Sequence, residues 1–377
     1  MKNSVKLFLS SGKKSAVAAK KLLEQKREDE DYLGSVISNN IWTNSFETSV
    51  PVRRIYDHVH SFLDVCDISD GKATFGGKIR KVLFLGFDGM RADTAARLLC
   101  GKNEFDSNLD SLNARYSGIN RLRRLGGLYL GYCGGEVGKS SEQTTSTSAN
   151  WTSQFTGVWG DESGIFTNED TKNMAHKTFI LEYALNGLHT SLNFDWDYYF
   201  DVNLRPEVEY ALANPGLPII FCDTDRKKGG KLPKKPAMTR EFYDYLAPER
   251  PSPSSPFDTG VRDYVIHRIN MGDSVICGIY HSIDSMGHCY QFSPDCAEYL
   301  NAAMSCDMFT YQILDEIERR ENELNEEWLV VLANDHGGKG RGHGAHSLEE
   351  RTTWIATNIK IDEKLFGRGY DGQRENK

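Results

Sequence analysis

Four short segments of the 377-residue chain carry side chains of the types that ligate divalent metals or supply a hydroxyl nucleophile. They are Phe87-Asp88-Gly89, Thr147-Ser148-Ala149-Asn150, Asp284 with His288, and Asp335-His336-Gly337-Gly338 followed by Gly342-His343-Gly344. Brought together, they offer four oxygen ligands (Asp88, Thr147, Asp284, Asp335) and three imidazoles (His288, His336, His343). Two cations about 4 Å apart clamp the attacking and leaving oxygens of an in-line displacement, and such a pair requires a donor set of this kind. Mixed carboxylate and imidazole donors suit zinc, with manganese or iron as alternatives, and the absence of a thiolate set argues against a purely structural zinc. The chain therefore reads first as a two-metal hydrolase.

A single Asp-Gly after an apolar run is an ordinary turn. Three acids in such places, two of them joined to histidines, are not explained as turns. Asp284 and His288 lie four residues apart, close enough to reach one ion from a single loop or first helical turn. Asp335 and His336 are adjacent, and the glycines at 337, 338, 340, 342 and 344 let the backbone double back and present His343. A hydroxyl at a helix N-terminus beside a metal is set up to attack, because coordination lowers its pKa and the exposed N–H groups favour an anion. Thr144, Thr145, Ser146, Thr147 and Ser148 all qualify by spacing alone.

These residues need elements to hold them. Residues 81–87 are nearly all apolar and end at Asp88-Gly89, which predicts a central strand buried on both faces. Further strands are predicted at 128–132, 274–280 and 328–333. Helices are predicted at 53–65, at 149–156 with a stop at Gly157, and at 297–322 with Met304, Phe309, Ile313, Leu314 and Ile317 on one side. Asp93 is expected to cap a helix running through Leu99. Strands alternating with helices predict an α/β fold with a mainly parallel central sheet covered on both faces, and in such sheets ligands bind beyond the carboxyl ends of the strands. We expect an N-terminal helical extension over 1–80, including a surface helix over 13–31, and a catalytic domain over 81–377. A cap inserted at about 194–256 is expected to be irregular, with the cations from Arg226 to Lys235 as solvated loop or substrate contact.

The net charge of −8, with 53 acidic and 45 basic residues, argues against a general nucleic-acid binder. The apolar patch at 5–9 is too short for a signal-peptide core, and no stretch approaches the ~20 apolar residues of a membrane span. Eight cysteines without a C-x-x-C pair suggest free thiols, so a cytoplasmic location is expected.

The segment Thr147-Ser148-Ala149-Asn150-Trp151-Thr152-Ser153-Gln154-Phe155-Thr156-Gly157, together with the acid and histidine motifs, resembles the alkaline phosphatase superfamily, in particular its branch of nucleotide pyrophosphatases/phosphodiesterases. The resemblance covers about 81–358, except 194–256. It selects Thr147 as nucleophile, with a phospho-threonine that water releases, and implies that Asn150 donates to the transferring phosphoryl group. It places Asp88, Thr147, Asp335 and His336 on one metal and Asp284, His288 and His343 on the other. The close-set 335–351 segment is similar to ethanolamine-phosphate transferases of the same superfamily, which makes His346 a competitor of His343. Sulfatases are disfavoured, since no Cys/Ser-x-Pro-x-Arg segment lies near Thr147. A small phosphodiester or nucleotide-like pyrophosphate is the implied substrate. Phosphomonoester hydrolysis, with Arg91 as the one guanidinium near Asp88, transfer to an acceptor alcohol, and a non-catalytic homologue are the alternatives.

Overall fold

The computed structural model describes residues 49–100, 116–172, 176–232, 238–248 and 258–366. The surface helix expected over 13–31 and the lysines at 234 and 235 lie outside them.

The described strands are β1 (Ser49–Pro51), β2 (Asp67–Ser69), β3 (Lys72–Phe75), β4 (Lys78–Phe87), β5 (Gly127–Tyr132), β6 (Thr190–Phe194), β7 (Ile219–Asp223), β8 (Val275–Tyr280), β9 (Glu326–Ala333) and β10 (Thr352–Thr357). They form one sheet in the order β1-β5-β10-β9-β4-β8-β6-β7, with the β2–β3 hairpin extending β4 at its start. On the main path only β10 runs against its neighbours. The fold is thus α/β with a mostly parallel central sheet.

The centre of the sheet follows from its sequence. From Lys81 to Phe87 every residue of β4 is buried, and successive side chains serve opposite faces. Val82 and Phe84 join a core with Leu192, Cys277 and Val331, covered by the helices Arg54–Leu63, Thr147–Thr156 and Phe179–Leu185. Leu83, Leu85 and Phe87 join a second core with Ile276, Val330 and Trp354, covered by Thr259–Met271 and Ala297–Leu324. The apolar stripe read for the last helix is the one that packs: Phe309, Ile313, Leu314 and Ile317 are all buried.

Four expectations need correction. The stretch 194–256 is not irregular throughout: β7 pairs with β6 as the edge of the sheet, and the helices Arg205–Ala213 and Arg240–Tyr245 flank it. Ile219-Ile220-Phe221-Cys222-Asp223 is itself a short apolar run ending in an acid, a signal masked by the surrounding Pro and Asp. Within the same stretch Arg226 is buried, donating to Asp223 at 2.7 Å and Asp201 at 2.6 Å, so it is a structural clamp and not a substrate contact. In the region expected as a helical extension, the described residues form one helix and three strands, of which β1 pairs in parallel with β5 and completes the opposite edge. Finally, Asp93 lies inside the first turn of Ala92–Cys100 and accepts from Arg91 Nε at 2.8 Å instead of capping.

Candidate active site

Asp88 is the residue after β4, Asp335 lies two residues after the end of β9, and Asp284 sits in the first turn of the helix Ser282–Cys289 that follows β8. Because β8, β4 and β9 are parallel neighbours in register, all three acids arrive at one edge of the sheet. Thr147 is the first residue of the helix Thr147–Thr156, which lies close against β4. That closeness depends on Gly86, where a Cβ would stand 2.5 Å from a ring carbon of Trp151. Phe84 holds the same helix edge-on, with ring centroids 5.8 Å from Trp151 and 5.3 Å from Phe155.

The carboxylates are stitched together by the backbone. Asp335 Oδ1 accepts from Gly89 N at 3.1 Å and from His336 N at 2.9 Å. Gly89 has φ +68°, and a Cβ there would meet Asp284 Oδ1 at 2.7 Å, so this turn can only be glycine. Thr147 Oγ1 is 3.4 Å from Asp88 Oδ1 and 3.3 Å from His336 Nε2, and Thr147 is 2% exposed.

Each histidine is fixed in tautomer by a backbone carbonyl. His336 Nδ1 donates to Gly337 O at 2.7 Å, His288 Nδ1 to Arg341 O at 2.9 Å, and His343 Nδ1 to Thr145 O at 2.9 Å. An imidazole that donates from Nδ1 presents a lone pair at Nε2. His336 Nε2 faces Asp335 Oδ2 at 3.3 Å and Asp88 Oδ1 at 3.5 Å. His288 Nε2 faces Asp284 Oδ2 at 3.3 Å, and His343 Nε2 faces Asp284 Oδ1 at 3.6 Å. The Nε2 atoms of His288 and His343 stand 3.1 Å apart, close enough for both to reach one cation.

Asp284, His288 and His343 bring one ligand atom each within 4.8 Å of one another, and Asp88, Asp284 and His336 do the same. The seven residues expected as ligands therefore converge, with Asp284 lying between the two groups instead of in one. His346 is elsewhere: its Nε2 is 3.4 Å from Glu142 and its Nδ1 3.5 Å from Arg351. Electrostatics match a site built around positive charge. Burial, and then the neighbouring carboxylate, push Asp88 and Asp335 well above the usual carboxylate range. Burial would raise Asp284 too, but His288 and His343 draw it below that range.

Asn150 is fully buried, and its carboxamide is engaged away from any open face. Nδ2 donates to Thr144 O at 3.1 Å and Ser146 O at 2.9 Å, while Oδ1 accepts from Gly134 N and Gln143 Nε2, both at 3.0 Å. It shapes the turn before Thr147 and has no N–H left for a phosphoryl group, which corrects the role expected for it. Arg91 is likewise committed, donating to Asp93 and to Phe292 O at 2.8 Å.

Two residues at the site were not found from the sequence. His281 Nδ1 is 2.8 Å from Asp88 Oδ2, and its ring stacks on Trp196 with centroids 5.9 Å apart. Phe87 and Tyr280 are register partners, so His281 follows β8 as Asp88 follows β4; the signal was a chemical residue directly after an apolar run. Asn168 Oδ1 accepts from Ser148 N at 2.8 Å, which places a carboxamide at the N-terminus of the Thr147 helix, and among the described residues its Nδ2 donates to no protein group. A lone asparagine in a loop carries no sequence signal.

The chain is thus an α/β protein with a mostly parallel central sheet and a cluster of acids and imidazoles at the carboxyl edge of that sheet. No family model and no curated protein matches the sequence. Among solved structures, phosphonoacetate hydrolase from Sinorhizobium meliloti 1021 is similar over 72% of this chain and 60% of its own, with 14% identity and a TM-score of 0.43. A mutant of TAB5 alkaline phosphatase with bound Mg is similar over 76% of this chain and 93% of its own, with 15% identity and a TM-score of 0.42. Murine ectonucleotide pyrophosphatase/phosphodiesterase 5 is similar over 69% and 57%, with 16% identity and a TM-score of 0.36. The chain thus spans about three fifths of the length of two of these proteins. All three of these proteins are members of the alkaline phosphatase superfamily.

Proposed function

We propose that this protein is a metal-dependent phosphoester hydrolase in which Thr147 is the nucleophile and two divalent cations, zinc first and manganese or iron as alternatives, occupy the Asp88/Asp284/Asp335/His288/His336/His343 cluster. The observation that carries this reading is the pair of ligand groups, Asp284/His288/His343 and Asp88/Asp284/His336, that share Asp284, with the buried Thr147 hydroxyl against Asp88 and His336 of the second. When bound, the cations lower the pKa of the threonine hydroxyl and neutralise charge on the phosphoryl and leaving oxygens.

The chain's own groups do the rest. Thr147 Oγ1 bonds to phosphorus as the leaving oxygen departs in line, giving a phospho-threonine that water then opens, returning the free hydroxyl. Asn168 Nδ2, with its oxygen anchored on Ser148 N, donates to a non-bridging oxygen and takes the role expected of Asn150. Because Arg91 is bound to Asp93 and Phe292 O, it adds no positive charge for a second ionised phosphate oxygen, which favours a diester or a nucleotide-like pyrophosphate.

Aryl phosphate mono- and diesters assayed on metal-replete protein beside Thr147→Ala test this. We expect the diester to be turned over faster, and the variant to lose about 10³-fold or more in kcat. Turnover by Thr147→Ala at the parent rate would remove threonine as nucleophile.

A further inference from the structure

The turn Tyr199–Asn203, in the stretch first read as a cap, is wound as a π-helix. Such turns are rare and concentrate where a side chain must be aimed. The side chain aimed here is Asn203, which is fully buried. Its Oδ1 accepts from Ser148 Oγ at 2.6 Å, and its Nδ2 donates to Asn168 O at 3.0 Å and Asp170 O at 2.5 Å. Its own carbonyl accepts from Lys172 N at 3.1 Å.

The base of this turn is anchored in turn. Lys172 Nζ pairs with Glu207 at 2.5 Å, both side chains wholly buried, and Glu207 also accepts from Thr178 N at 2.9 Å and Thr178 Oγ1 at 2.7 Å. Glu207 lies in the first turn of Arg205–Ala213, directly after the π-turn. One carboxamide therefore ties the first turn of the Thr147 helix to the loop that carries Asn168, from a rigid support on the β6–β7 side of the sheet.

We infer that Asn203 is a positioning residue, which sets the distance between the attacking oxygen of Thr147 and the donor of Asn168 without touching substrate or metal. This rests on the reading of Thr147 and Asn168 given above. A misplacement of about 1 Å between reacting and stabilising groups costs on the order of 100-fold in rate.

The test measures kcat, KM and bound metal, with an aryl phosphate diester, for zinc-replete parent, Asn203→Ala, Asn168→Ala and the double variant. We expect Asn203→Ala to lose about 10- to 100-fold in kcat, with KM moved much less and the metal content of the parent. The double variant should be slowed by far less than the product of the two single penalties, because Asn203 acts through Asn168. Penalties that multiply, or an Asn203→Ala as fast as the parent, overturn the proposal. Should Asn203→Ala not fold, Ser148→Ala removes one hydroxyl only. It is expected to lower kcat several-fold with metal retained, and parent-like kcat overturns the proposal. A Thr147→Ala as active as the parent overturns both readings, whereas a Thr147-dependent enzyme indifferent to Asn203 and Ser148 overturns this one alone.

Discussion

Each imidazole of the cluster has its outer nitrogen held by a different backbone carbonyl: Gly337, Arg341 and Thr145. Ligand direction is thus fixed by the main chain before any ion arrives, as the hydrogen-bond partners of the outer nitrogen of metal-binding histidines usually do. This separates His343 from His346, which sequence spacing could not. His343→Ala is expected to leave a protein that retains one of two cations by elemental analysis, whereas His346→Ala keeps both. Residue types were legible because carboxylates and imidazoles at strand ends have few other reasons to recur. The role of Asn150 was not, because its residue type and spacing are the same whether the amide faces substrate or, as here, the carbonyls of Thr144 and Ser146.

At the scale of elements, the strands that carry ligands were readable because a strand buried on both faces must be apolar at every position. The positions of β1 and β7 at the sheet edges were not, since edge strands are short and flanked by turn residues, and their pairing is decided by distant partners. The helix Arg54–Leu63 illustrates how such packing creates a pH dependence. Its His58 faces β10, with Nε2 3.4 Å from Thr357 Oγ1, and burial lowers its pKa to about 4. A histidine held neutral in the fold contributes stability that is present above its unfolded pKa of about 6.5 and is lost as pH falls toward 4, because only the unfolded chain then gains the proton. Denaturant unfolding at pH 7 and pH 5 should show the parent losing about 2 kcal/mol more than His58→Gln over that interval.

At the scale of the molecule, two cores on opposite faces of one sheet fix where the strand ends lie, and the cluster sits on that frame. No helix of the described residues is long and apolar enough to cross a membrane. With buried acids that desolvation and mutual repulsion push upward, the metal-free protein carries an electrostatic penalty at this cluster. Cation removal with a chelator is therefore expected to lower the unfolding temperature. Zinc at about 100 times its dissociation constant should restore about 2.7 kcal/mol, read from the same unfolding curves.

Residue types and their order along the chain were enough to show which donors exist, that they follow apolar runs, and that an α/β sheet would collect them at its carboxyl edge. The packed fold alone shows Asp284 standing between the two ligand groups, His343 and not His346 facing it, His281 against Asp88, and Asn168 at the first turn of the Thr147 helix. The physical reason is that periodicity reports the face and end of an element on which a residue lies. The direction of a side chain is set by the hydrogen bonds it makes, to local backbone for His336 and Asn150 and to distant backbone for His288 and His343, and residue type and spacing do not choose among them.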